Sequence, residues 1–329
     1  MRKILIIGSY DLSAFQIDNL QNCSNDCTEL AEFVFDVKGR VDLVCVLNAV
    51  RVPKMVRAPR NRFVKLVQEP SVKGSILHKF VTSHPSVYSK IMGHNGALIG
   101  ESLTSRFEET APLLFPQVHA DEIVQPKTEL FSIISSTLSL LPGHIKRNEF
   151  IDLVHRFNPQ LEAHTFGRGR MELGEKEDAL DPYMYSLAIE NSQIPSYITE
   201  KILDCILRET VPVYFGAQNV DEYFPGDSVV QISLLDEKTA RDLLFGLSAE
   251  DYNRRLPALR EAKRKYLDEM QICCMLTREL FREKPGRDRW GLLLPPLGES
   301  IKWLAALRFR WTKARQRLEG AVGVKPDQL

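Results

Sequence analysis

No stretch of this 329-residue sequence reaches the roughly 18–20 consecutive apolar residues that a membrane-crossing helix needs. The apolar run behind the basic start Met1-Arg-Lys is only Ile4–Ile7, too short for the core of a secretory leader, and it predicts a first buried strand. Cysteine is scarce, with six residues at 23, 27, 45, 205, 273 and 274. Cys23-x3-Cys27 lacks a second pair at zinc-binding spacing, and the Cys273–Cys274 doublet stands alone. That usage predicts reduced thiols in a cytoplasmic protein, not a disulfide scaffold. Asp-x-Asp and His-Glu-x-x-His are both missing and the seven histidines are scattered, so no metal site is expected. Repeats and low-complexity segments are missing too. Net charge is also absent, with 43 basic residues against 43 acidic. A zero balance argues against a polyanionic partner, yet here it is a cancellation. Residues 254–329 hold 18 Lys/Arg and 9 Asp/Glu, whereas residues 1–253 hold 25 and 34. An acidic body precedes a basic tail.

What is present describes a globular chain long enough for two domains, 44% hydrophobic and 26% charged. Short apolar runs at Ile4–Ile7, Val41–Leu47, Phe63–Val67 and Lys79–Thr82 read as strands, with room for crossover helices between them. One such helix is expected over Cys27–Phe35, where Leu30, Phe33 and Val34 recur at helical spacing. Residues 90–128, punctuated by glycine and proline, predict an irregular connection. The pattern then restarts. A strand is expected at Leu130–Ser135, a turn at Pro142-Gly143 and a helix at Lys146–Phe157. Further strands follow at Leu161–Phe166, Tyr185–Ile189 and Val211–Gly216. Between the last two lies a helix from Ile198 to Glu209, buried through Ile198, Ile202, Cys205 and Ile206, with Ser196 as its N-cap. Two α/β halves joined by a hinge imply a cleft, and ligands of such sheets lie beyond the carboxyl ends of the strands.

The densest set of chemically useful residues is Glu190-Asn-Ser-Gln-Ile-Pro-Ser-Tyr-Ile-Thr-Glu-Lys201. It leaves a strand, crosses a polar loop and enters a helix, so backbone N–H groups and a positive helix end face the loop. Asn191, Tyr197, Glu200 and Lys201 add amide, phenol, carboxylate and ammonium groups. A nucleotide sugar needs that mixture, cations for its diphosphate and acceptors for its hydroxyls. The same Glu200 and Lys201 also suit the first turn of any surface helix.

Tyr185-Ser-Leu-Ala-Ile-Glu-Asn-Ser-Gln, Tyr197-Ile-Thr-Glu-Lys, Val211-Pro-Val-Tyr-Phe-Gly and Asp221-Glu-Tyr-Phe-Pro together resemble a known signature. It is the donor-binding signature of the α1,3/α1,4-fucosyltransferases, glycosyltransferase family 10, which use GDP-fucose. Weaker agreement runs upstream through Asp178–Tyr183, Phe166-Gly-Arg-Gly and Lys146-Arg-Asn-Glu-Phe150. The resemblance implies an α/β GT-B fold, two Rossmann-like domains facing across a cleft. Residues 1–125 would form the acceptor domain, 126–295 the GDP-sugar domain, and 296–329 a basic helical tail. It also implies donor-binding roles for Arg147 on the diphosphate and for Glu190, Asn191, Tyr197, Glu200 and Lys201 around phosphates, ribose and fucose. Glu200 would additionally steady the donor sugar in the transition state.

Inverting transfer needs a carboxylate base for the attacking hydroxyl. In the family this is a glutamate in a Glu-Ser-Pro-like motif after an N-domain strand. Here Phe63–Val67 runs into Gln68-Glu69-Pro70-Ser71, with Ser and Pro exchanged, which makes Glu69 the expected base and Glu101 the second choice. Charge on the leaving group would fall to Arg147, Lys201 and a helix N-terminus, with His144 nearby and no metal or other cofactor.

Residues 301–318 carry six cations and no acid, interleaved with Trp303, Leu304, Leu307 and Trp311 on one helical face. That is the pattern of a helix lying in an anionic membrane interface, and equally of a terminal helix packed on the body. No nucleic-acid module accompanies the charge. The reading is therefore a cytoplasmic, bacterial-type fucosyltransferase, peripheral at the inner membrane face. Its partners are GDP-fucose and an oligosaccharide or lipid-linked acceptor, as in lipopolysaccharide O-antigen or glycoprotein synthesis. A transferase for another GDP-sugar, or a non-catalytic GDP-sugar-binding protein of the same fold, are the alternatives.

Overall fold

The computed structural model describes residues 1–8, 29–35, 39–48, 54–68, 87–94, 107–111, 116–120, 126–139 and 142–293. Glu69, Glu101, the expected strand Lys79–Thr82 and the tail 301–318 lie outside the described residues. The first sheet contains β1 (Arg2–Gly8), β2 (Ala31–Val34), β3 (Leu43–Leu47), β5 (Phe63–Val67), β6 (Lys90–Gly93) and β7 (Phe107–Glu109). All are parallel, in the order β2-β1-β3-β5-β6-β7. Every residue of β3, a continuous apolar run, is buried, and so is every residue of β5, Lys65 included.

The second sheet contains β8 (Glu129–Ile134), β9 (Thr165–Phe166), β10 (Tyr183–Ile189), β11 (Val211–Phe215) and β12 (Val230–Gln231). It too is parallel, in the order β12-β11-β10-β8-β9. Helices α1 (Pro142–Phe157), α2 (Glu200–Leu207), α3 (Glu237–Gly246) and α4 (Ala249–Lys265) accompany it. Phe150, Ile151 and Val154 of α1 and Ile202, Cys205 and Ile206 of α2 bury their stripes in its core. Two parallel α/β sheets in sequence are the GT-B architecture that was expected.

The chain then returns. A π-helical turn, Tyr266–Met270, leads to α5 (Ile272–Arg282), whose Ile272, Leu276 and Leu280 pack on Ile4, Ile6, Leu43 and Leu66 of the first sheet. β13 (Asp288–Leu293) pairs antiparallel with β4 (Lys54–Pro59). Packing thus divides the chain differently from the expected 126–295, because residues 272–293 belong with the first sheet.

Several local expectations are corrected. Residues 31–34 are an edge strand, not part of a helix. Ala31 and Phe33 face one core and Val34 the other, a period of two that Leu30, Phe33 and Val34 mimic at helical spacing. The connection 90–128 contains β6 and β7. Pro142 and Gly143 begin α1 instead of forming a turn, since a first-turn proline gives up only an N–H that has no helical partner. A 3-10 helix, Pro159–His164, replaces most of the strand expected from Leu161. Thr199, not Ser196, caps α2, its hydroxyl accepting from Lys201 N. Cys45, Cys205 and Cys274 are free buried thiols, whereas Cys273 is disulfide-bonded, against the expectation of reduced thiols throughout. Among the described residues no helix is long and apolar enough to cross a membrane.

The carboxyl ends of the two sheets meet. His94, directly after β6, stacks edge-on to Tyr197 with ring centroids 5.0 Å apart. Ser196 takes a left-handed backbone (φ 62°) and is buried at this junction. Its hydroxyl donates to Glu109 Oε1 at 2.7 Å and accepts from Tyr223 at 2.7 Å and Asn219 Nδ2 at 3.2 Å. One hydroxyl thereby joins β7 to the second half.

Candidate functional site

β10 runs buried to Ile189, and Glu190 N still donates to Phe215 O of β11 at 2.7 Å. Glu190 is therefore fixed by the sheet, with its side chain wholly buried. Its carboxylate accepts from Thr199 N at 3.0 Å, Thr199 Oγ1 at 2.7 Å and Lys201 Nζ at 3.0 Å. A side chain at Gly216 would strike Tyr214 and Glu190, which explains the glycine closing the β11 run. Burial, helped by the nearby Glu200 carboxylate, raises the Glu190 pKa, while Lys201 and the Thr199 hydroxyl pull against it. Lys201 also donates to Thr199 Oγ1 at 3.0 Å and Glu200 Oε1 at 3.2 Å. Burial works against its charge, and the Glu190 and Glu200 carboxylates more than offset that, raising its pKa. Burial pushes Glu200 up, but Lys201 and Lys176 draw it below the usual glutamate range.

A cavity of about 310 Å³ opens beyond the carboxyl ends of β8 and β10. Ile133, Leu187 and Ile189 line its apolar wall, and Arg147, Lys176, Glu200 and Lys201 its charged one. Gly167 stands at its edge with φ 120°, where a Cβ would meet the Ser135 carbonyl. Arg147 projects from α1 and is 8% exposed. Its bonds are long, Nη1 to Asn191 Oδ1 at 3.5 Å and Nη2 to Ser136 O at 3.3 Å, and buried Nε has no partner. No carboxylate pairs with it among the described residues. Burial, then nearby Arg170, weigh against the Arg147 charge. Arg170 repeats the pattern, with an unpartnered buried Nε and one bond of 3.5 Å to Asn148 Oδ1. His144, also on α1, has an unpartnered buried Nδ1, and burial followed by Arg147 and Lys201 lowers its pKa. Unsatisfied donors of this kind are costly without a ligand and suit an anion.

Of the residues the sequence marks, Arg147, Glu200 and Lys201 share the cavity. Asn191 reaches it through Arg147, and Glu190 lies buried behind Lys201. Tyr197 is elsewhere, 4% exposed and turned to His94 at the junction of the sheets. Glu69 lies outside the described residues; Gln68 just before it is buried at the end of β5, its N–H held by Asn48 Oδ1 at 2.7 Å. Sequence reasoning missed Lys176, Asp204 and Arg170. Only Asp204 left a signal, a lone acid within the apolar run Ile202–Leu207.

Residues 125–255 match the family model described as glycosyltransferase family 10 (fucosyltransferase) C-term. An alpha-(1,3)-fucosyltransferase FucT of Helicobacter pylori is 32% identical over 130 residues, covering 38% of this chain and 26% of that protein. An alpha-(1,4)-fucosyltransferase of Arabidopsis thaliana is 44% identical over 52 residues, 16% of this chain and 13% of that protein. The chain thus spans well under a third of the length of these curated relatives. A crystal structure of an α1,3-fucosyltransferase with GDP superposes with TM-score 0.48 at 14% identity, over 83% of this chain and 92% of that one. Over residues 125–255, the chain is similar to glycosyltransferase family 10, the fucosyltransferase family.

Proposed function

We propose that the chain is an inverting fucosyltransferase, moving fucose from GDP-fucose to a hydroxyl of an oligosaccharide or lipid-linked acceptor. The observation that carries this reading is Arg147, a buried guanidinium with no carboxylate partner among the described residues, facing a cavity lined mostly by the segment that matches family 10. A diphosphate supplies the oxygens it lacks. Lys201, held charged by Glu190, adds positive potential where the leaving group gains negative charge. In the transfer, an acceptor hydroxyl oxygen bonds to the anomeric carbon as the bond to the β-phosphate oxygen breaks. GDP departs on one face, and the hydroxyl proton passes to Glu69 on the other. Support for Glu69 comes from β5, which leads into it. The Val67–Gly93 register pair stands one residue before Gln68 and His94, where the first sheet meets Tyr197.

Leaving-group charge is met by Arg147 and Lys201 without a metal ion, so a chelator leaves the rate unchanged. The acceptor is encountered at the cytoplasmic membrane face, to which the basic tail 301–318 adheres. GDP release, measured across GDP-sugars and acceptor glycans, tests the whole reading. GDP-fucose should be preferred, and release should require an acceptor. Binding of GDP-fucose with no release from any acceptor points to a binding protein instead, and preference for another GDP-sugar reassigns the donor. Glu69→Gln should lower turnover by about 10²–10⁴-fold with donor affinity retained; turnover at the wild-type rate removes Glu69 from the base role.

A further inference from the structure

One ammonium outside the family signature reaches the same cavity. Lys176 opens a 3-10 turn, Lys176–Ala179, that is pinned by a reciprocal cap between Glu175 and Asp178. Its side chain is 19% exposed, ion-paired to Asp204 Oδ2, and donates to Gln117 Oε1 at 3.1 Å. An ammonium carries three donors, and only these two are used among the described residues. The third remains for whatever fills the cavity that Lys176 lines beside Arg147, Glu200 and Lys201.

Asp204 explains why Lys176 stays there. It is 1% exposed on α2, and its second oxygen accepts Gln117 N at 2.7 Å. A buried carboxylate needs its cation, because removing one member of such a pair strands the other at a cost of about 3–5 kcal/mol. Lys176 is thus moored by a group that itself lies behind the cavity wall. Gln117, from the segment joining the two sheets, closes the arrangement.

We propose that Lys176 is a third cation for the phosphates of the bound nucleoside diphosphate, and that Asp204 is the residue positioning it. This inference rests on the GDP-sugar reading and adds a residue that the signature does not contain. GDP titrated calorimetrically into the full chain tests it, with pyrophosphate as a second probe. Lys176→Met should weaken GDP binding about tenfold, equivalent to about 1.4 kcal/mol, and should lower the melting temperature by stranding Asp204. Asp204→Asn should weaken GDP binding by about threefold, because the ammonium loses its mooring. The double variant K176M/D204N separates the roles. A ligand cation predicts recovered melting temperature with GDP affinity still about tenfold down. Recovery of both would make Lys176 structural and overturn the proposal. A wild-type chain that binds neither GDP nor pyrophosphate overturns the site reading itself, and this inference with it.

Discussion

Glu190 and Asp204 are two buried carboxylates at one cavity, each paired with a lysine, and they differ in how fully they are satisfied. Glu190 receives three donors and serves Lys201 as a fixed counter-charge. Asp204 receives two, and burial pushes its pKa up to about 6, against the opposing pull of Lys176 and Gln117 N. A folded pKa above the usual 3.8 means the native chain keeps a proton that the unfolded chain has already lost. Asp204 therefore subtracts stability as pH rises from about 4 to about 6, by at most about 3 kcal/mol. Asp204→Asn cannot titrate, so the wild type's advantage over it in melting temperature should shrink across that window and level off above it. An advantage independent of pH would place the Asp204 pKa near its ordinary value. None of this pairing was legible from residue order. Lys176 and Asp204 lie 28 positions apart, and only α2 packing beside the 3-10 turn brings them together.

Elements read well where burial on both faces leaves a mostly apolar run, as in β3, β5, β10 and β11. They read poorly where a few residues fit two periods, as in Ala31–Val34, or where a local hydrogen bond replaces a ladder. Thr165 shows the second case, its hydroxyl donating to Leu161 O at 2.7 Å and holding a 3-10 turn where a strand was expected. Residue types at the site were legible in the family signature, but the unpaired state of Arg147 was not. The start of α1 shows a sequence feature taking its meaning from another element. Gly143 looks like turn punctuation, yet it is helical, and a Cβ there would run into the Asn191 carbonyl. In an open helix Gly→Ala stabilises by about 1 kcal/mol. Here Gly143→Ala should instead destabilise by about 1–3 kcal/mol and weaken GDP binding, because Asn191 must move off Arg147. Melting and GDP titration check both; a stabilised variant would show that the contact yields easily.

Across the whole molecule, the zero net charge conceals a partition between an acidic body, which holds both sheets and the cavity, and cations gathered after residue 254. Truncation after residue 300 should reduce cosedimentation with phosphatidylglycerol vesicles several-fold and leave GDP affinity intact; unchanged cosedimentation would remove the tail from membrane contact. The return of α5 and β13 to the first sheet has a different consequence, one of timing. On the ribosome the first sheet emerges early, but the helix that packs on Ile4, Ile6 and Leu66 and the strand that pairs with β4 emerge only after the second sheet. Domains commonly complete in order of synthesis, amino-terminal first. This chain reverses that order: the second sheet can close around its own core while the first still lacks the contacts that residues 272–293 make with Ile4, Ile6 and Leu66.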